Sequence, residues 1–459
     1  MASLIVRDWK PAHRVEPVVR IGVILEQDAQ SSVEISPPNR RLLLQVGDDE
    51  VRPVDATTPL VAAPARKNVV LRSHETVLAS GSRVRLSLDQ PPDLARGAGI
   101  TVHNIVAGRG FHWQKRLTQT LSGTIEIVAP PGGLVLVNEL PLEEYLAGVI
   151  TAEMGADCPA DLLAAQCVVA RSWLLAFTEP KHDGEPFDRC NDDCCQRYQG
   201  TAELSDAALA AVRTTRGLLL LDADGNPVDA NYSKSCGGIS EPPELVWGKP
   251  KPGLSVVVDA PAGSTCAQYL PVTEANLDEF LDGAWVAKTD VYCSPNVVPE
   301  DTFGKYLGRV DERGSYFRWT VSRSRAELEA LLVEKLPEVS DLTELRDMRV
   351  VSRGPSGRAH AVVLDYVTKD AKSRQYRIES EYRIRAVLHR KFLYSSAFAI
   401  RQERDKAGHL ESVTLRGAGW GHGAGMCQIG ALGMALVGIP YERICLHYFP
   451  GARLSRVYE

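Results

Sequence analysis

The first 130 residues alternate short apolar runs with Pro- and Gly-rich punctuation. Val19–Leu25, Val33–Ile35, Arg41–Val46, Asn68–Leu71, Val84–Leu88, Thr101–Val106 and Thr124–Val128 read as strands. Ser36-Pro37-Pro38 and Pro130-Pro131-Gly132-Gly133 are among the turns. Two helical patterns follow. Leu142, Tyr145, Leu146, Val149 and Ile150 fall at i, i+3, i+4, i+7 and i+8, one face of a helix. After Asp157-Cys158-Pro159, the run Leu162–Leu174 is apolar on nearly every side, which predicts a buried helix entered through Pro159. Further helices are expected at Ser205–Thr214 and Arg325–Lys335, and at the end of the Gly-rich stretch Gly417–Met434.

The expected fold class is α+β: a β-rich chain with a central helix pair and a smaller inserted α/β subdomain. The divisions expected are a loose tail (1–17), a β-rich part (18–130), a core segment (131–269), an inserted α/β region (270–400) and a C-terminal return to the core (401–459). The chain has 459 residues and 52 Lys and Arg against 58 Asp and Glu. That balance offers no excess of cations for phosphates, so nucleic acid is excluded as the main partner. No apolar run reaches the length of a membrane span, and the first 27 residues lack the apolar core of a secretory signal.

Extending the apolar series of the first helix by one step reaches Glu153. A carboxyl on a buried stripe is expected to stay protonated more readily, as a general acid requires. The plain alternative is a solvated residue just past the helix end. Arg171, inside the apolar second helix, needs a carboxylate partner, for which Glu153 and Glu144 are candidates. It serves either as half of a structural ion pair or as a substrate contact. Cys190, Cys194 and Cys195 crowd into six residues, with His182 eight residues upstream of Cys190. Thiolates with an imidazole suit zinc, although neighbouring Cys194 and Cys195 seldom share one ion. Cys236 is a further candidate for fourth ligand, and free thiols or a disulfide are the alternatives. A nucleophilic Cys236 is disfavoured because no base is placed beside it. Gly417–Ala431 matches neither a phosphate-binding loop nor a dinucleotide fingerprint. Its alternate glycines around Trp420 and His422 suggest backbone wrapped closely against something.

Tyr145–Ile150 with Ala152-Glu153-Met154, Pro159, and Ala164–Arg171 resemble the signature of the SpoIID/LytB family, named after stage II sporulation protein D and the amidase enhancer. Gln196–Gly200, Ser233–Gly238, Gly419–Gln428, Tyr441–Ile444 and His447–Gly451 resemble that family's later motifs. Cys427 stands where the family often has Ser. The resemblance implies a lytic transglycosylase that cuts the β-1,4 bond between N-acetylmuramic acid and N-acetylglucosamine in peptidoglycan, leaving a 1,6-anhydro end. Glu153 maps onto the family's catalytic acid. A single carboxyl suffices, since it protonates the leaving oxygen and then takes the proton of the sugar's own 6-hydroxyl. Glycosidases use two carboxylates instead.

On the same footing, Arg171, Tyr198, Ser233, His422 and Gln428 are expected to bind substrate, with Gly417–Gly430 facing Glu153 across the cleft. A structural zinc is expected at Cys190, Cys194, Cys195 and His182, none being required for the chemistry. Peptidoglycan strands and a cell-wall amidase are the implied partners, and an extracytoplasmic setting the implied location, although no signal is visible. Two other readings are a non-catalytic peptidoglycan-binding amidase enhancer, which would not need Glu153, and a zinc hydrolase.

Overall fold

A computed structural model describes residues 4–36, 40–54, 57–110, 114–176, 178, 181–307 and 314–459. The turn expected at Pro37-Pro38 lies outside the described residues. The molecule is a strand-rich mixture of strands and helices, and its described residues form two large hydrophobic cores and a small third cluster around Leu25, Val135 and Phe187.

Two mainly antiparallel sheets form the N-terminal half. One has seven strands in the order Arg189–Cys190, Val18–Ile24, Val135–Pro141, Thr124–Val128, Arg83–Leu88, Leu42–Val46, Arg52–Val54. The other has six, in the order Lys115–Leu121, Ile100–Ala107, Val33–Ser36, Leu60–Ala65, Asn68–Ser73, Thr76–Gly81. Alternating residues such as Leu42, Leu44, Val84 and Leu86 are fully buried and join Ile35, Leu60, Leu71 and Val102 in the same core. That is the period-2 burial expected of sheets covered on one face. Within the segment expected to be a loose tail, residues 4–17 are anchored instead. Val6 and Trp9 are 1% and 2% exposed, and Trp9 Nε1 donates to the Val15 carbonyl. Arg7 also pairs with Asp188. Two large apolar residues with a sheet edge to cover outweigh the local polarity.

Strand Val135–Pro141 runs directly into helix α1 (Leu142–Glu153), which packs against α2 (Ala160–Ala176). Both helices are buried on most sides. Beyond Glu153 the chain is extended. Met154 bridges Leu307, and Gly155 N–H donates to the Tyr306 carbonyl, so α1 ends under a strap from residues 303–307.

The second core comprises Trp319 to Leu415. It joins a three-stranded sheet (Leu342–Arg353, Ala359–Thr368, Ser373–Glu379), a second one (Arg318–Ser324, Leu410–Ala418, Phe398–Arg404), and helices Arg325–Lys335 and Glu381–Val387. The residues of this second core run from Trp319 to Leu415, against the 270–400 expected for an inserted region. Residues such as Val272, Phe280, Tyr292 and Phe317 pack into the first core instead. No described helix is long and apolar enough to cross a membrane.

Candidate functional site

Three elements converge at the C-terminal end of α1. Strand Tyr232–Ser233 lies parallel to Met426–Cys427, with Tyr232 opposite Met426 and Ser233 opposite Cys427. The second of these strands passes into helix Gln428–Leu436, capped by Cys427 Sγ, which accepts from Gly430 N–H. This register carries Tyr232 and Gln428 to Glu153. Tyr232 O–H and Gln428 Nε2 each donate to the Glu153 carboxylate at 3.4 Å. Gln428 Nε2 also reaches Gln166 Oε1 on α2 at 3.2 Å. Glu153 and Gln428 are 275 residues apart in sequence. Glu153 is half-buried rather than sealed.

Glu153 opens on a cleft of about 900 Å³. Ser233, His422 and Gln428, three of the residues expected to bind substrate, line it. Among the described residues nothing hydrogen-bonds Ser233 Oγ, although the residue is 7% exposed. His422 Nδ1 accepts from Ala424 N–H, which places the proton of the neutral ring on Nε2. Burial pushes the His422 pKa down to about 4; Glu381 opposes the shift, while Arg385, Arg358 and Lys251 reinforce it. Burial pushes the Glu381 carboxyl up, but Arg385, His422 and Arg358 outweigh it and hold it below its ordinary value.

Two expected site residues stand elsewhere. Arg171 is fully buried and pairs with Glu143, not Glu153 or Glu144. Its Nε and Nη2 reach the two Glu143 oxygens at 3.0 and 2.7 Å. Glu143 also accepts from Gly217 N–H and Tyr458 O–H. Tyr198 is fully buried, donates to Asn138 Oδ1 at 2.9 Å, and packs on Tyr145. Neither lines the cleft. Both are the large polar side chains of a folded interior, with every reach satisfied inside it.

The glycine-rich loop is wrapped closely against the protein's own groups. A Cβ on Gly423 would meet the Arg358 guanidinium at 2.1 Å, and one on Gly425 the Asn231 carbonyl at 2.0 Å. The glycines make room for the protein's own groups.

An aromatic wall escaped the sequence reading. Trp420 stacks on Tyr394 with centroids 4.4 Å apart and also packs on Tyr316 at 4.4 Å. Trp247 meets His422 edge-on at 5.0 Å. All five line the cleft together with Glu381 and Arg385. Trp420 and His422, set among the glycines, carry a local signal; Trp247, Tyr316 and Tyr394 arrive by tertiary folding.

Where Cys194 and Cys195 reach the same cleft, they join His182 and Cys190 behind them, the four bringing one ligand atom each within 4.8 Å of the others. His182 Nε2 is 3.3 Å from Cys195 Sγ and 3.9 Å from Cys194 Sγ. Hydrogen bonds with Cys190 and Cys194 pull the Cys195 thiol well below its ordinary range against the effect of burial. Three sulfurs and one imidazole in this volume fit a tetrahedral zinc. Cys236 does not belong to this group; it lies in the core near Cys293 and Cys427.

Residues 131–221, which include Glu153, match the family described as Stage II sporulation protein (SpoIID). Residues 246–425, which include Glu381, Tyr394 and Trp420, match a domain of unknown function (DUF8618). The chain is 26% identical over 379 residues to an uncharacterized protein of Brachyspira hyodysenteriae, covering 83% of this chain and 82% of the relative. It is 22% identical over 377 residues to stage II sporulation protein D of Bacillus subtilis, covering 77% and 88%. It is also 24% identical over 318 residues to the amidase enhancer of Bacillus subtilis, covering 68% of this chain but only 40% of that protein.

Proposed function

We propose that this chain, which belongs to the SpoIID/LytB family, is a peptidoglycan lytic transglycosylase with Glu153 as its general acid and base. The observation that carries this reading is Glu153 itself: a carboxyl at a helix end, open to a large cleft and flanked by Tyr232 and Gln428. Aromatic faces such as Trp420 and Tyr394 suit the apolar faces of sugar rings. Neutral His422 offers one N–H donor, and Ser233 an unengaged hydroxyl, for acetamido or hydroxyl groups.

In this mechanism Glu153 protonates the oxygen leaving the muramic acid carbon. The same sugar's 6-hydroxyl then attacks that carbon while Glu153, now a carboxylate, receives its proton. The bond to the leaving sugar breaks, the internal 1,6 bond forms, and the carboxyl is regenerated. His182, Cys190, Cys194 and Cys195 would hold a zinc that ties residues 182–195 beside the cleft, a structural contribution with no part in the proton transfers. The setting in this reading is the cell wall, outside the cytoplasm.

The second reading, a binding module that stimulates a separate amidase, draws on the amidase enhancer among the relatives. Glu153→Gln separates the two. For the enzyme, release of 1,6-anhydro ends should fall ~10²–10⁴-fold while strands still bind and the fold is kept. Wild-type cleavage by a folded Glu153→Gln protein would remove Glu153 from the chemistry. No anhydro product from the wild type on intact or stem-stripped strands, with binding retained, would favour the enhancer.

A further inference from the structure

Away from the cleft, a second group of thiols lies in the first core. Cys236, Asp259, Cys293 and Cys427 come from four separate segments, yet three Sγ atoms and a carboxylate oxygen all lie within 4.8 Å of one another. The four residues are 1–3% exposed. Cys236 Sγ and Cys293 Sγ are 3.9 Å apart. Thiolates at about 2.3 Å from one tetrahedral ion stand about 3.8 Å from each other. The spacing therefore suits a single cation.

The polar groups around this set suit anionic ligands. Cys236 N–H and Gly430 N–H donate to Cys427 Sγ at 3.2 and 3.3 Å, and Gly238 N–H donates to Cys236 Sγ at 3.4 Å. Asp259 accepts from Tyr448 O–H at 2.5 Å through one oxygen and from Cys293 N–H at 3.1 Å through the other. Among the described residues no Lys, Arg or His forms an ion pair with it. A carboxylate buried in the core without a cation is costly, and a divalent ion beside it removes that cost.

We infer that Cys236, Asp259, Cys293 and Cys427 form a second metal site, taking one zinc-class divalent cation through three thiolates and one carboxylate oxygen. On binding, each thiol that ligates gives its proton to solvent and no electron is transferred. Four protein ligands leave no open position for a water, so the site is structural. Its place in the fold gives it a purpose. Cys236 follows the strand bearing Ser233, and Cys427 immediately precedes Gln428. One ion would clamp together the two strands that bring Ser233 and Gln428 into the cleft. This inference does not depend on whether the cleft cleaves or only binds glycan.

The test counts metal in the full chain, purified in reducing buffer, loaded with zinc and dialysed. The double variant His182→Ala/Cys194→Ser disables the group beside the cleft at its more accessible side chains and leaves the core untouched. Expected is about two zinc ions per wild-type chain and one per double-variant chain, falling to none when Cys293→Ser is added. Cobalt loading of the double variant should give intense thiolate-to-metal absorption, a readout that requires no core substitution. A folded double variant that holds no metal and shows no such absorption overturns the inference. So does a Cys236–Cys293 disulfide found by peptide mass mapping of the freshly isolated protein.

Discussion

His422 shows how a single side chain answers to burial. Its pKa of about 4 lies below the ordinary histidine value of 6.5, with burial as the largest cause. As pH falls the unfolded chain takes up that proton first. The stability that neutral His422 contributes is therefore complete above about pH 6.5 and is lost as pH drops towards 4. Replacing His422 with Gln should make the melting temperature fall less between pH 6.5 and 4. An unchanged slope would assign the effect elsewhere, His447 being another half-buried histidine with a pKa lowered to about 4. Arg171 makes the opposite case, a charge kept inside by a partner. Arg171→Met strands Glu143 and should cost about 3–5 kcal/mol of stability. Because Arg171 lines no part of the cleft, the rate per folded molecule should hold. A large loss of kcat with unchanged stability would return it to the substrate.

Among the elements, the loop from Gly419 to Gly425 is the most tightly specified. Gly425 has φ near +74° and Gly423 near +75°, both in the left-handed region. A methyl group at Gly425 meets a backbone carbonyl, which cannot swing aside, whereas the obstacle at Gly423 is the end of a long side chain. Gly425→Ala should therefore lower the melting temperature more than Gly423→Ala, beginning from about 1–2 kcal/mol for the backbone conformation alone. Equal effects would mean that the conformation, not the contact, sets the cost. Helix α1 and this loop were both legible in the sequence, for different reasons. The spacing of Leu142 to Ile150 fixes a face, and Glu153 is its next member. The density of glycine marks an unusual backbone, though not which group presses on it; Arg358 and Asn231 lie far away in the chain. The strands Leu60–Ala65, Thr76–Gly81 and Lys115–Leu121 are not legible in the sequence because Ala, Ser, Gly and charged residues dilute their alternation. They exist because neighbours in the six-stranded sheet supply their hydrogen bonds. Arg171's partner is hidden in the sequence for a similar reason: helix register nominates several carboxylates, and only packing selects Glu143.

On the scale of the whole molecule, the cleft belongs to both cores. Glu153, Tyr232 and Gln428 stand on elements of the first. Glu381 and Arg385 ride on the helix Glu381–Val387 of the second, and Tyr394 packs against that core while facing Trp420. The proton chemistry proposed for Glu153 needs nothing from the second core. What the second core adds is surface: an aromatic face and an Arg–Glu pair within reach of a long ligand. Binding energy realised equally in the ground and transition states changes KM and leaves kcat alone. Tyr394→Ala should thus raise KM for long glycan strands roughly fivefold, the equivalent of about 1 kcal/mol for one aromatic contact, with kcat nearly constant. The effect should shrink for strands too short to span from Glu153 to Tyr394. A strand-length series measured for wild type and Tyr394→Ala tests this. A fall in kcat that is independent of strand length would instead mean that Tyr394 supports the geometry around Trp420 and Glu153, making the second core part of the catalytic frame.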